Sequence, residues 1–265
     1  MTDQTTTVQG TQIYVSERGS GPPVVLLHGN PDSSDVWEGV IERLSDRFRC
    51  IAPDLPGFGR SVPAPDAGYT LAGQARWVND FLDALNLTEP VNLVGHDVGG
   101  FYACAFAVEH EPRLRRLALM DTQFFSDYKW HFWGRVWRTR VLGEIAMASM
   151  SYPLFAREVR RGSVTLPPGY ERNAYRHVTP QMKRTVLKLY RLMDPSVFRG
   201  WEDRLRAVTG RVPTLVIWGD HDPYITPDFA GHFGAQHVHH FPDAGHWPQV
   251  EKPAEVARLL AEHFA

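Results

Sequence analysis

The segment from Val91 to Gly100 constrains the fold of this chain most strongly. It opens with the mostly apolar run Val-Asn-Leu-Val, continues as Gly95-His-Asp-Val-Gly99, and leads into a stretch rich in alanine and aromatic residues. This order predicts a buried strand, a sharp turn and a buried helix. Glycines two residues before and after Asp97 permit a strained turn that lifts the central side chain above the edge of a sheet. Because an ordinary helix cap by Asp97 fits the same residues, other motifs have to decide between the two interpretations.

Length and charge limit the class of protein. The chain has 265 residues, and 28 Lys and Arg against 30 Asp and Glu give a net charge of −2. The length fits one α/β unit with an insertion, and the balanced charge favours a small-molecule partner over nucleic acid or a membrane surface. Cys50 and Cys104 lie in apolar runs without metal-site spacing, which indicates buried thiols. No signal peptide and no membrane span is recognised, so we expect a cytoplasmic monomer or homodimer.

Apolar runs alternate with helical patterns along most of the chain. The predicted strands cover residues 11–16, 24–28, 49–53, 91–94, 117–121, 214–218 and 238–241. The first is predicted to be antiparallel. Most of the others are short continuous apolar runs, which are typical of strands buried on both faces of a parallel sheet. The sequence therefore predicts an α/β fold with helices on both faces, and ligands in such sheets bind beyond the carboxyl ends of the strands.

One long segment interrupts this alternation. Residues 122–208 have helical periodicity, proline-punctuated joints and many aromatic side chains. An insertion at the end of a strand lies where a lid over a site would be. We therefore predict a helical cap domain at 122–208 and a core domain made of residues 1–121 and 209–265.

Two later strand ends carry the residues that Asp97 would need. Asp222 follows the strand at 214–218, and His246 follows the strand at 238–241. The order of nucleophile, acid and histidine at strand ends is that of the α/β-hydrolase triad. From about residue 10 to the end, the chain resembles the α/β-hydrolase fold superfamily. The motifs that carry the resemblance are residues 28–31, 54–59, 95–100, 218–222 and 245–246.

The aspartate at the turn narrows this resemblance. It is similar to the branch that includes epoxide hydrolases, haloalkane dehalogenases and fluoroacetate dehalogenases. A carboxylate is ionised at neutral pH and can displace a group at a saturated carbon. The resemblance implies that Asp97 forms an alkyl ester, that His246 activates water against it, and that Asp222 orients the imidazole, with no cofactor or metal. The backbone N–H groups of Asn30 and Val98 are expected to stabilise the oxyanion.

Several assignments remain open. Asp121, at the end of the preceding predicted strand, is the alternative acid, because some relatives place the acid there. Asp222 is preferred because its motif matches the usual position in the superfamily. A metal site is not predicted for the histidines near the last strand, which lack suitable spacing; they are His237, His239 and His240. The turn after residue 94 lacks the spacing of a phosphate-binding loop, so nucleotide binding is not expected.

The leaving group depends on residues of the cap. Leu189-Tyr190-Arg191 resembles the tyrosine-arginine pair at the end of epoxide-hydrolase lids. Tyr190 is therefore the predicted donor of a proton to the epoxide oxygen, and small apolar epoxides with water are the predicted substrates. The second donor is left open among Tyr152, Tyr128 and His131.

Haloalkane dehalogenation is the main alternative. The stretch that begins at His28 resembles haloalkane dehalogenases, in which the asparagine side chain helps to hold the halide; Asn30 would take that role. Those enzymes carry a tryptophan after the nucleophile, where this chain has Val98, although Trp130 or Trp133 of the cap could supply the missing indole. A cofactor-free lyase or cyclase and a non-catalytic binding protein are alternatives from other classes.

Overall fold

The structure, a computed structural model, describes residues 2–64 and 66–265. Within these residues eight strands form one sheet, in the order β1-β2-β4-β3-β5-β6-β7-β8. β2 runs antiparallel to β1 and β4, and all other neighbours are parallel. In chain order the strands are β1 (Thr2–Val8), β2 (Thr11–Arg18), β3 (Pro23–Leu27), β4 (Arg49–Pro53), β5 (Val91–His96), β6 (Leu114–Met120), β7 (Thr214–Gly219) and β8 (His237–Phe241).

Helices cover both faces of this sheet. In chain order they are α1 (Glu38–Leu44), α2 (Leu71–Ala84), α3 (Val98–Glu109), α4 (Phe132–Arg138), α5 (Leu142–Ser149), α6 (Tyr152–Arg161), α7 (Tyr170–Tyr175), α8 (Pro180–Leu192), α9 (Trp201–Thr209), α10 (Pro248–Glu251) and α11 (Pro253–Phe264). One core contains side chains of α2, α3 and α9, and the other contains side chains of α1 and α11. The predicted α/β-hydrolase fold is confirmed.

β3 shows why the central strands are apolar throughout. Val25 and Leu27 point into one core, whereas Val24 and Leu26 point into the other. All four side chains are fully buried. Burying each such side chain contributes roughly 1.5–3 kcal/mol, so a polar residue at either face of this strand would be costly.

The inserted cap lies between β6 and β7, as the sequence predicts. Its α4 packs against α5 and α8, and α6 packs against α7. α9, the last helix before β7, packs instead against α3 of the core. The division into domains at 121/122 and 208/209 stays a prediction. In the part of the chain that the structure describes, no helix combines the length and apolar character needed to cross a bilayer.

Two local features differ from the sequence prediction. The edge strand β1 was not predicted, because its threonine-rich sequence lacks alternating apolar residues; it is held by antiparallel pairing with β2. The helical pattern of residues 36–44 predicts one helix from about Val36, whereas the structure has a 3-10 turn at Ser34–Trp37 that continues as α1. Neither difference moves the strand ends that carry the predicted site.

Candidate active site

Asp97 occupies a strained turn between β5 and α3. Its backbone has φ 47° and ψ −116°, a conformation that costs a non-glycine residue of the order of 1–3 kcal/mol. A Cβ atom on Gly99 would lie 2.3 Å from the carbonyl oxygen of Leu27. The glycine is therefore required by close approach of the backbone, and the turn is the one that its spacing predicts.

His246 lies between two carboxylates. Its Nδ1 atom is 2.7 Å from Oδ2 of Asp222, and its Nε2 atom is 3.7 Å from Oδ2 of Asp97. The other oxygen of Asp222 accepts the backbone N–H groups of Tyr224 and Ile225, at 2.7 and 3.1 Å. Because these bonds fix Asp222, the imidazole is held with Nε2 toward Asp97.

The charges at this site are strongly coupled. Although burial acts to lower it, the carboxylates of Asp222 and Asp97 raise the pKa of His246 to about 9. Burial raises the pKa of Asp97, while the charge of His246 and the N–H of Asn30 act to lower it. At neutral pH the imidazole is therefore protonated as long as both neighbouring carboxylates are charged.

Two backbone N–H groups point at the carboxylate of Asp97. The N–H of Asn30 donates to its Oδ1 atom at 2.7 Å, and the N–H of Val98 also acts on this carboxyl group. A Cβ on Gly29 would lie only 2.5 Å from the Cβ of Asp97. This close approach is what lets the loop after β3 place its N–H at the carboxylate.

The side chain of His28 supports the same loop. Its Nδ1 atom bonds to the carbonyl oxygen of Gly29 at 2.8 Å, and its Nε2 atom accepts the N–H of Leu55 at 2.9 Å. Burial lowers the pKa of His28 to about 4, so the ring is neutral. Since Nε2 accepts, the proton lies on Nδ1, which identifies the tautomer.

A cavity with a free volume of about 110 Å³ lies between Asp97 and the cap. Its wall combines the residues of the strand-end loops with mostly apolar side chains of α4, α5, α6 and α8. Apart from Asp97 and His246, the lining includes Asn30, His131, Trp133, Trp137, Met147, Leu154, Phe155, Glu158, Val159, Tyr190, Tyr224 and Trp247. This volume suits a small organic molecule held next to the carboxylate.

Tyr190 brings a hydroxyl group from the cap into this cavity, next to Asn30. It lies near the end of α8, a helix that Thr179 caps by accepting a backbone N–H and that has proline in its first turn. Its oxygen is 3.4 Å from Nδ2 of Asn30. The ring packs against Trp130 and Trp137 at centroid distances of 4.7 and 4.9 Å. Burial raises the pKa of Tyr190 well above its usual range, so the hydroxyl keeps its proton.

His131 is the second polar side chain that the cap brings to the cavity. Its Nδ1 atom accepts the N–H of Gly134 at 3.3 Å and so caps α4. Burial lowers its pKa to about 3, which leaves a neutral ring with its proton on Nε2. The ring lies 5.2 Å from Tyr224 and 6.3 Å from Tyr190, measured between centroids.

The other cap candidates are placed elsewhere. Tyr152, one of the three candidates for the second donor, packs against Tyr175 of α7 and lines a separate surface depression. The face of α6 that lines the cavity carries Phe155 and Val159 instead. Of the three candidates, the structure therefore brings His131 and not Tyr152 to the cavity, because periodicity alone does not determine how α6 is rotated about its axis.

Tyr128 and Trp130 lie behind the cavity wall. The hydroxyl of Tyr128 donates to the carbonyl oxygen of Tyr224 at 3.1 Å, so this proton is already used. Trp130 packs against Tyr128 and Tyr190 but is not among the cavity-lining residues of the described chain. Trp133, the alternative indole, does line the cavity.

Asp32 was missed by the sequence reasoning. One carboxyl oxygen accepts the hydroxyl of Tyr170 on α7, and the other accepts the indole N–H of Trp247, both at 2.8 Å. Burial raises the pKa of Asp32 to about 6. Its position two residues after Asn30 is the only sequence signal that could have indicated it, because its partners lie far away in the chain.

Asp121, the alternative acid, lies beside Asp222 and His246, but the imidazole bonds to Asp222 and not to Asp121. One of its oxygens accepts the N–H of Gly219 at 3.0 Å. In the described residues, the cluster that could offer ligands to a metal is Asp121, Asp222 and His246, with ligand atoms within 4.8 Å of one another. Two of these three atoms already bond to each other.

Several known proteins are similar to this chain over most of its length. The sequence profile of the α/β hydrolase fold matches residues 22–253. Haloalkane dehalogenase 2 of Mycobacterium bovis is 30% identical over 272 residues, which cover 96% of this chain and 91% of the relative. The cis-3-alkyl-4-alkyloxetan-2-one decarboxylase of Shewanella oneidensis is 29% identical over 278 residues, covering 96% and 85%. The crystal structure of Cfl2 from Burkholderia cenocepacia matches with a TM-score of 0.85 and 26% identity, covering 99% and 95%.

Proposed function

This chain belongs to the α/β-hydrolase-fold family, and on that premise we propose that it hydrolyses small epoxides to diols through an ester on Asp97. Its relatives support a hydrolytic enzyme; the triad, the epoxide and the order of steps are our proposal. The observation that carries the proposal is the neutral Tyr190 hydroxyl. It lies 3.4 Å from the side-chain Nδ2 of Asn30, the residue whose backbone N–H donates to Asp97 at 2.7 Å. A proton donor at this place is what epoxide opening requires.

The first step is attack of the Asp97 carboxylate on a ring carbon. The carbon–oxygen bond of the epoxide breaks, and the oxygen takes the proton of Tyr190. The Nε2 proton of His131 adds a hydrogen bond to the same oxygen from the cap side. The product is a hydroxyalkyl ester of Asp97, and the imidazole takes no part in forming the new bond.

The second step is hydrolysis of that ester. Forming the ester removes the negative charge of Asp97, one of the charges that raise the pKa of His246. The imidazolium therefore gives up its proton more readily. That proton goes to the tyrosinate left by the first step, which restores the Tyr190 hydroxyl and leaves His246 neutral. His246 then takes a proton from water, the hydroxide attacks the ester carbonyl, and the backbone N–H groups of Asn30 and Val98 stabilise the oxyanion. Collapse releases the diol and restores the carboxylate.

Dehalogenation is the second candidate, and two observations favour it. The cavity is lined by Trp133 and Trp137, whose indole N–H groups have no hydrogen-bond partner among the described residues. Haloalkane dehalogenase 2 is also 30% identical over nearly the whole chain. In this alternative the Asp97 carboxylate forms an alkyl ester as the carbon–halogen bond breaks, and Asn30 and an indole N–H stabilise the departing halide; Tyr190 donates no proton.

A substrate panel tests the proposal. The purified protein is incubated with small terminal and internal epoxides, with chloro- and bromoalkanes, and with a cis-3,4-dialkyl oxetan-2-one. Diol formation without halide release supports epoxide hydrolysis. Halide release with inert epoxides contradicts it and supports the dehalogenase, and loss of carbon dioxide from the oxetanone identifies a lyase. Asp97→Asn protein is the control for uncatalysed reaction.

A further inference from the structure

Asp121 is a buried carboxyl group that the proposed mechanism does not use. It follows β6, its side chain is fully buried, and its backbone has a φ of 38°. One oxygen accepts the N–H of Gly219. The other oxygen, Oδ2, accepts no N–H or O–H group of the described residues. Buried carboxyl oxygens normally have hydrogen-bond partners, and backbone strain is concentrated at functional sites, so both features single out Asp121.

The surroundings of that oxygen are carboxylates and an imidazole. Ligand atoms of Asp121, Asp222 and His246 lie within 4.8 Å of one another. Burial, followed by the neighbouring charge of Asp222, raises the pKa of Asp121 well above its usual range. Two buried carboxyl groups this close do not both ionise, since each disfavours the charge of the other. Asp222 keeps the charge, because it accepts two backbone N–H groups and the imidazole.

We propose that Asp121 is a positioning residue that shares one proton with Asp222, so that the pair holds a single negative charge beside His246. The unpaired Oδ2 carries the proton and donates it to the carboxylate of Asp222. This bond helps to fix the oxygen that orients the imidazole. When Asp222 cannot carry the charge, Asp121 releases its proton and supplies the carboxylate itself. The proposal concerns the triad of the proposed function and therefore rests on it for its kinetic test.

A spectroscopic test does not depend on any substrate. Protein labelled with ¹³C at the aspartate carboxyl carbons is studied by NMR near neutral pH, alongside Asp121→Asn protein. Asparagine suits the site because it also tolerates positive φ, accepts the N–H of Gly219 and can donate to Asp222. We expect the variant to lose a signal of a protonated carboxyl group. Loss of an ionised carboxylate signal instead would overturn the shared proton.

A kinetic test uses Asp121→Asn, Asp222→Asn and the double variant, with whichever substrate the panel identifies. Asp121→Asn should stay within about threefold of the wild-type kcat, because a neutral donor replaces a neutral donor. Asp222→Asn should lose roughly 10²-fold and the double variant roughly 10⁴-fold, the loss known for removing the acid of a triad. The ratio of kcat between Asp222→Asn and the double variant measures how much the charge of Asp121 contributes to the rate.

The pH profile separates this role from a structural one. In Asp222→Asn the rate should rise with pH as Asp121 ionises, whereas the double variant should show no such rise. Equal rates and profiles in these two variants would overturn the proposal. So would a loss in Asp121→Asn as large as that in Asp222→Asn, with thermal unfolding unchanged. If no substrate of the panel is turned over, the proposed function fails, and the NMR result still decides the protonation of Asp121.

Discussion

The two halves of the cavity differ in what holds their side chains. On the core side, Asp97 is fixed by backbone N–H groups and by a glycine loop without room for a side chain. On the cap side, Tyr190 makes one long hydrogen bond, of 3.4 Å, and is otherwise held by packing against aromatic rings. Backbone hydrogen bonds permit one geometry, whereas packing tolerates several. Under the proposed function, the core therefore fixes the nucleophile and the cap selects the leaving group.

The largest expected effect is the loss of turnover in a variant of the core side, His246→Gln. His246→Gln should lower turnover by more than roughly 10⁴-fold, as for other members of a catalytic triad, but should still form the ester, because the Asp97 carboxylate attacks without a base. Intact-protein mass spectrometry after adding substrate should show the protein heavier by one epoxide, or by a haloalkane less HX. Peptide mapping should place the adduct on Asp97.

Asp97→Asn is the matched control, since it keeps the size of the side chain and should form no adduct. A His246→Gln protein that is inactive and never accumulates the adduct, on a substrate that the wild type turns over, would mean that Asp97 acts as a base. In that case the core would not fix a nucleophile, and the contrast between the two halves would fail.

A smaller effect tests the cap side. Tyr190→Phe removes one oxygen and keeps the ring contacts with Trp130 and Trp137. Epoxide turnover should fall by roughly 10²- to 10³-fold, the usual size of a general-acid contribution. Tyr152→Phe, which makes the same chemical change outside the cavity, should leave turnover unchanged. Equal rates for the two variants would exclude Tyr190 as the proton donor, and unimpaired halide release by Tyr190→Phe would be expected if haloalkanes are the substrates.

The smallest expected effect concerns Asp32, which accepts hydrogen bonds from Tyr170 of the cap and from Trp247 of the core. Burial raises the pKa of Asp32 from 3.8 to about 6, so the folded protein binds this proton more tightly than the unfolded chain does. Its contribution to stability is thus greatest below the unfolded pKa and is lost as the pH rises toward 6. Between about pH 4 and pH 7 the free energy of unfolding should fall by up to about 3 kcal/mol relative to Asp32→Asn.

Urea unfolding of both proteins across this range measures the difference. Tyr170→Phe removes the cap's hydrogen bond to Asp32, which acts to lower its pKa, and should therefore move the transition to higher pH. A difference between wild type and Asp32→Asn that is constant with pH would show that Asp32 does not titrate on folding. The contact between the cap and the core at Asp32 would then not depend on the protonation of this residue.

The structure brings together the three core-side residues that the sequence selected, because the information that places them is local. Asp97, Asp222 and His246 each follow a strand that an apolar run reveals, and parallel topology brings those strand ends to one edge. The residue type then indicated the chemistry. The choice between Asp121 and Asp222 was harder, because both follow strands, and only the bond to the imidazole distinguishes them.

The cap could not be predicted to the same depth. Helical periodicity showed that residues 122–208 are helical, but not how each helix is rotated or what it contacts. Tyr152 and Tyr190 are both tyrosines on amphipathic helices, and only packing sends one outward and the other inward. The contacts of Asp32 could not be predicted either, because its partners Tyr170 and Trp247 lie 138 and 215 residues away in sequence.

Two glycines next to the turn at Asp97, Gly29 and Gly100, also limit which substitutions this protein can accept. Every side chain at Gly29 would collide with Asp97, and a Cβ at Gly100 would lie 2.1 Å from the hydroxyl of Thr122. In a mutational library that includes these two positions, most variants should therefore be misfolded or inactive. Diversity aimed at new substrates belongs on the opposite wall, at Met147 and Leu154, where flexible side chains from the cap line the cavity.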